Sequence, residues 1–385
     1  MNAPADDAQV SSFCAALPGL AWPEGSDAEL PLLLTTLCDA DEAAREAALG
    51  ELMDRVLTEQ GIEAAAVIVA QQLVTLIGFE ATPDKDQLLL ALDALGDSGS
   101  ALVELAQHML EHEQGEHADH HHDDFEIDED EVEVARQLRA AVVQGGASMV
   151  ALLDADDEDT RVCAAYALTV PLSARPREIT EALVARYEQE QAPRARASLL
   201  LALGLSGQSS VVELIREALE GAETHIERVA AAMAMIPFFG HLVQDEAILT
   251  LIDALAEPDE LRLVYEELPW ADDDLVVDLG ALLASFNDGG RCPVLAPLYE
   301  RLAGCETRSG VMSLLEAAMI IAFEPHEHEG PEFEIEALSG PQRDLLARVE
   351  KEDRLWSSAI RVGELLGDYG LPADRAALRS LLRES

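Results

Sequence analysis

A chain of 385 residues with 75 acidic against 25 basic side chains carries a net charge of −50. That field repels phosphate backbones and anionic lipid, so it argues against direct binding to nucleic acid or to a membrane and makes a basic protein or a cation the natural partner. Hydrophobic residues make up 49% of the chain but aromatics only 4%, which excludes an aromatic-rich core and predicts Leu, Ala, Val and Ile between closely packed helices.

Residues 1–31 read as a partly irregular N-terminal cap. Met1 to Val10 has neither a basic residue nor an apolar core, and so does not read as a signal peptide. From Leu32 onward the periodicity is helical. Ala64 to Phe79 is apolar but short and contains Gln71 and Gln72, which predicts a core helix and not a membrane span; Val311 to Phe323, with Glu316, reads the same way. Helices are expected in pairs. Asp86 to Leu95 is followed by Gly96-Asp97-Ser98-Gly99, read as a link, and then by Ala101 to Leu110. Ala195 to Gly204 precedes Ser206-Gly207-Gln208 and then a helix in which Val211, Leu214, Ile215, Ala218 and Leu219 form one apolar stripe. Leu275 to Phe286 precedes Val294 to Leu302, and Trp356 to Gly367 precedes Gly370-Leu371-Pro372 and Arg375 to Leu382. Gly145-Gly146 and Gly289-Gly290 read as helix breaks, and Glu257 to Asp274 as a degenerate stretch. The five cysteines, Cys14, Cys38, Cys163, Cys292 and Cys305, are scattered without a CxxC, the pattern of reduced, buried thiols in a cytosolic protein.

One motif recurs. Leu37-Cys38-Asp39-Ala40-Asp41-Glu42-Ala43-Ala44-Arg45 returns, with one extra residue, as Leu153-Asp154-Ala155-Asp156-Asp157-Glu158-Asp159-Thr160-Arg161, and each copy runs into a small-residue helix. Weaker echoes centre on Arg196 and Arg228. The Asp or Thr can cap the helix start, and the arginine one turn in can bind carbonyls or acids of the adjacent repeat. This pattern, at a spacing of about thirty to forty residues, resembles the HEAT-like repeat, including the variant found in bilin lyases. The resemblance runs from about Leu32 to the end. It implies an all-α solenoid of about eight or nine stacked antiparallel helix pairs, a scaffold and not a particular function, with a lyase-type enzyme as a remote reading.

Two acidic, histidine-bearing segments interrupt the array, at about 113–130 and 325–340. His108 and His112 are four apart and share a helix face, and His117, His120, His121 and His122 follow with carboxylates, so a zinc or nickel site is one reading and a solvated loop the other. Phe125/Ile127 and Phe333/Ile335 are expected to anchor these segments. No GxSxG, phosphate loop or HExxH is present, and no catalytic, cofactor or metal residue is assigned. Trp22, Trp270 and Trp356 are candidate partner contacts, with Trp270 first because Pro269 and Asp272 to Asp274 imply an exposed turn. The sequence thus points to a cytoplasmic, non-enzymatic scaffold or adaptor, an inhibitor or immunity-type binder among its forms, whose acidic surface takes a basic protein. A metal-binding protein using the histidine loops is the alternative. The acid excess also reads as a solubility device or an adaptation to high salt, Lys85 and Lys351 being the only lysines.

Overall fold

The computed structural model describes residues 3–113, 129–240, 245–287, 291–323, 338–357 and 360–384. The chain is all-α. It divides into two compact units, Met1–Gln208 and Ser209–Ser385. The first contains α1 (Ala3–Ala16), α2 (Leu30–Thr36), α3 (Glu42–Val56), the strands β1 (Leu57–Thr58) and β2 (Gly61–Ile62), α4 (Ala66–Ile77), α5 (Lys85–Glu113), α6 (Glu129–Gln144), α7 (Gly146–Leu152), α8 (Glu158–Ala167), α9 (Thr169–Leu172), α10 (Pro176–Tyr187) and α11 (Pro193–Gly204). The second contains α12 (Val212–Gly221), α13 (His225–Phe239), α14 (Asp245–Ala256), α15 (Pro258–Tyr265), α16 (Leu275–Ala284), α17 (Leu295–Gly304), α18 (Arg308–Phe323), α19 (Gly340–Lys351), α20 (Val362–Asp368) and α21 (Arg375–Glu384). Among the described residues the one sheet is the antiparallel hairpin of β1 and β2, with Leu57 opposite Ile62 and Thr58 opposite Gly61. No described helix is long and apolar enough to cross a membrane. The two apolar stretches are instead the buried helices α4 and α18.

Each unit is organised around one helix. In the first, α5 packs against α3, α4, α6, α8 and α9. The link expected at Gly96 to Gly99 is absent: α5 runs unbroken through it. A Cβ at Gly96 would fall 2.7 Å from Cγ1 of Val170, and one at Gly99 would fall 2.9 Å from the carbonyl oxygen of Ala135. The glycines therefore act as a notch into which α6 and α9 press, and burial against those helices overrides their poor helix propensity. Ser98 and Ser100 donate back to the carbonyls of Ala94 and Gly96, which satisfies their hydroxyls inside the helix. Gly145 does end α6, as expected, while Gly289 and Gly290 lie outside the described residues. In the second unit the hub is α18, which touches α14 to α17 and α19. Between Gly310 and Phe323 only Met312 and Glu316 escape full burial. Gly310 lies so close to α14 that a Cβ there would overlap the carbonyl of Ala256. Along α12, Val211, Ile215, Ala218 and Leu219 of the expected stripe are buried, and Leu214 is half-buried.

The recurring arginines do the same thing at each position. Arg45 donates to the carbonyl of Asp39 (2.9 Å), Arg161 to that of Ala155 (2.9 Å), Arg196 to that of Glu190 (3.0 Å) and Arg228 to that of Ala222 (2.8 Å). In every case the acceptor lies six residues earlier, in the turn that leads into the arginine's own helix. Two of these guanidiniums also grip an acid from a later segment: Arg45 takes Asp84 (2.6 and 3.0 Å) and Arg161 takes Glu190 (2.7 and 3.2 Å). The caps follow the expectation in part. Asp157 accepts from the backbone of Thr160 and Thr224 from that of Glu227, whereas Asp41 makes no side-chain cap bond.

Glu190 is only 2% exposed. Burial alone would push its carboxyl up. The guanidiniums of Arg161 and Arg186 and the backbone amides of Gln191 and Ala192 reverse this, so it is held at about 2 against an ordinary 4.5. A depressed native value means stability that is present above about pH 4.5 and is lost as pH falls toward 2. Replacing Arg161 with Ala is expected to lower unfolding free energy at pH 7 by about 1.5–3 kcal/mol in denaturant titrations, with the gap to wild type narrowing below pH 4.5. Asp93 behaves oppositely. It is buried on α5, and burial, then the charge of Asp97, raise it to about 6 from 3.8, although Tyr166 and Thr169 hydrogen-bond to it. Its ionisation therefore opposes folding, a penalty absent below about pH 3.8 that grows until about pH 6. Asp93→Asn is expected to remove that slope from stability measured between pH 4 and pH 7, leaving the variant at less disadvantage, or more stable, at the upper end.

Candidate functional site

The stretch that reads as degenerate, Glu257 to Asp274, contains the most exposed large hydrophobic side chain among the described residues. Leu261 and Tyr265, four apart on α15, are 3% and 1% exposed and face the core. Leu263, two positions from each, is thrown to the opposite side and is 68% exposed. Asp259 and Glu260 precede it on α15, and Glu266 and Glu267 follow just past the helix end, so acids flank this leucine on both sides along the chain. From Glu257 to Asp278 there are nine carboxylates and one cation, Arg262.

Several of those carboxylates are committed to the fold. Asp274 takes both ends of Arg262 (2.9 and 3.0 Å) and caps α16 through the amide of Val276 (2.8 Å). Asp278 accepts from the hydroxyl of Tyr265 (2.8 Å), Asp259 from Ser309 (2.9 Å), and Glu257 pairs with Arg301 (3.3 Å). Glu260, Glu266, Asp272 and Asp273 face solvent. Trp270 sits half-buried in the turn that carries the last two. The other tryptophans are tied into the fold: the indole N–H of Trp22 donates to the carbonyl of Leu17 and that of Trp356 to the carbonyl of Val349.

The acid excess reaches the neighbouring half-buried groups. Burial, then Asp274 and Asp368, push Glu316 up, against the pull of Arg262. Burial, then Glu316 and Asp368, push Tyr369 up to about 12, and burial together with the bond to Asp278 raises Tyr265. The shifted tyrosines, like Cys38 and Cys163, are moved away from their anionic, nucleophilic forms. The face can therefore attract a cationic surface and offer it an apolar anchor.

The other sequence-derived candidates are not brought to this place. His108 and His112 lie on one uninterrupted helix, α5, with His108 exposed; His117, His120, His121, His122 and both Phe-x-Ile anchors lie outside the described residues. Among the described residues no group of three or more His, Cys, Asp or Glu is placed to hold a metal ion. None of the five cysteines is in a disulfide; Cys163 and Cys305 are buried as expected, while Cys14, Cys38 and Cys292 are half-buried. A groove of about 350 Å³ lies between α3 and α5, floored by Leu37, Leu49, Met53 and Leu88 with Glu46 and Gln87 on its rim. No protein-family model matches this chain, and no curated protein matches it.

The division of labour among the acids is testable. Asp274→Ala is expected to lower unfolding free energy by about 1–2 kcal/mol, through loss of the cap and of the Arg262 pair. Asp272→Asn and Asp273→Asn are expected to stay within about 0.5 kcal/mol of wild type in the same denaturant titrations.

Proposed function

We propose that this protein is a non-enzymatic binding scaffold whose acidic surface takes a basic protein partner, with the α15 face around Leu263 as its anchor. The observation that carries the reading is the exposed leucine flanked by acids on both sides, Asp259 and Glu260 on α15 and Glu266 and Glu267 just past its end. A partner that covers this leucine would remove apolar surface from water, and the carboxylates around it favour a cationic cover. The architecture fits a scaffold. In the first unit α5 packs on α8 and α8 on α11, while α4 packs on α7 and α7 on α10. Two parallel series of neighbours, with the arginine motif starting α8 and α11 at equivalent places, are what stacked helical hairpins of the HEAT-like kind would produce. We read the whole chain as such an array. Occlusion of a basic enzyme by this surface would make the protein an inhibitor.

The test uses the partner recovered from native cells with the full-length chain. Association measured against ionic strength is expected to slow steeply as the screening length shrinks below about 10 Å. Leu263→Ser is expected to weaken binding about tenfold or more, mainly through faster dissociation. The Asp272→Asn, Asp273→Asn double variant is expected to flatten the salt dependence with little change in dissociation. An acidic partner, or an association rate indifferent to salt, would defeat the reading.

A further inference from the structure

The groove between α3 and α5 is built from two matching stripes. On α3, Glu46, Leu49, Gly50 and Met53 line it at i, i+3, i+4 and i+7. On α5, Gln87, Leu90, Ala91 and Ala94 line it at the same spacing. Each stripe runs about 10 Å, two turns of helix. Leu37 and Leu88 are buried, whereas Leu49, Met53 and Leu90 are only half-buried. The space they leave is about 350 Å³. Arg45, the single cation among the lining residues, has all three guanidinium nitrogens engaged: two by Asp84 (2.6 and 3.0 Å) and one by the carbonyl of Asp39 (2.9 Å). No described neighbour requires glycine at position 50. It stands in the middle of α3, where glycine is among the poorest helix formers, yet a Cβ there would meet nothing within 4 Å. Gly96, Gly99 and Gly280, also inside helices, each face an atom of a neighbouring helix within 3 Å. The bare backbone at Gly50 therefore opens the groove and serves no internal packing. Four residues either side of it, Glu46 and Asp54 are exposed acids, and Asp97, one turn past Ala94 on α5, is another.

We propose that this groove is a docking site for an amphipathic helix of a partner protein, one with an apolar stripe at i, i+4 and i+7 flanked by lysines or arginines. The walls are helices whose backbone groups are bonded internally. An extended segment laid between them would lose water from its N–H and C=O groups and gain no backbone partner, whereas a helix arrives with its own bonds made. Two stripes of two turns match three apolar anchors on the incoming helix, and the unbranched thioether of Met53 adapts to their shape. Gly50 lets one large anchor side chain reach the backbone of α3, the close approach that glycine permits. Charge selects the flanks. The edges carry Glu46, Asp54 and Asp97, and the one lining cation is already held by Asp84, so a basic helix is attracted while an acidic helix or a fatty-acid carboxylate is repelled. This surface belongs to the first unit and does not depend on the reading of the α15 face.

The experiment is fluorescence anisotropy of the full-length protein with a labelled leucine-lysine peptide of about 14 residues, its leucines forming one helical stripe. A second peptide of the same composition scatters the leucines around the helix. Wild type is expected to bind the striped peptide about tenfold or more tightly than the scattered one, with a gain of helical circular dichroism. Gly50→Leu places its side chain in open space and improves the helix propensity of α3. It should therefore melt no lower than wild type, yet weaken the striped peptide about tenfold or more. Glu46→Gln should weaken it about twofold to fourfold, a difference that disappears at high salt. Leu263→Ser should leave the affinity unchanged, which separates this surface from the α15 face. Undetectable binding, equal affinity for the two peptides, binding unaffected by Gly50→Leu or binding lost in Leu263→Ser would overturn the proposal. So would displacement of the peptide by dodecanoate, or a wild-type dimer that Gly50→Leu abolishes, since these give the groove to a lipid chain or to a second copy.

Discussion

Cations are the scarce material of this protein, and where they go decides what holds. With one basic residue for every three acids, few carboxylates can find a partner inside the chain. The arginines are not spread evenly to neutralise the surface. Four of them, Arg45, Arg161, Arg196 and Arg228, stand where a turn enters a helix, each bonded to a carbonyl six residues back, and two of these clamp a carboxylate from further along the chain. A guanidinium can do both at once because its donors fan out in one plane, which a lysine cannot imitate, and the chain contains only two lysines. The turns are thereby locked at their most acidic points, and Glu190 can be buried as an anion.

Around α15 the same shortage leaves acids facing outward. On α15 the one local cation, Arg262, is held by Asp274 at the start of α16. Its withdrawal into the fold leaves Glu260, Glu266, Asp272 and Asp273 facing water around an apolar side chain. Stability and surface potential thus follow from one shortage. The structure is held by arginines turned inward, and the field that a partner would meet consists of the acids they do not reach. Repulsion among those acids weakens the free protein and would be relieved by a cationic cover.

Features governed by local pattern were legible in the sequence. The apolar runs of α4 and α18 and the stripe of α12 follow from periodicity. The repeated Leu-acid-Arg motif announced guanidiniums that bind carbonyls or acids of the adjacent repeat; Arg45 and Arg161 do take an acid from further along the chain, but the carbonyls they bind lie in the turns before their own helices. Features governed by distant neighbours were not legible. Gly96 to Gly99 has the composition of a turn, and only the pressure of Val170 and Ala135 on those glycines explains a helix there. Leu263 went unremarked because a leucine in an amphipathic helix is presumed to face inward. The available signal was its offset from Leu261 and Tyr265, together with the acids that flank it on both sides. The histidine segments, prominent in the sequence, fall mostly outside the described residues.

The unbroken course of α5 has a mechanical meaning. A helix of 29 residues spans about 43 Å, and α3, α4, α6, α8 and α9 lean on it. Yet its middle, Gly-Asp-Ser-Gly-Ser, is among the poorest helix-forming sequences in the chain, and it is helical because other helices press into it. This is a joint splinted by its neighbours. With α6 and α9 in place it transmits displacement as a rigid rod; if they were lifted away, the rod would become two short helices free to bend at Gly96 to Gly99. The stiffness of the unit's central strut is therefore a property of the assembled unit, not of the strut.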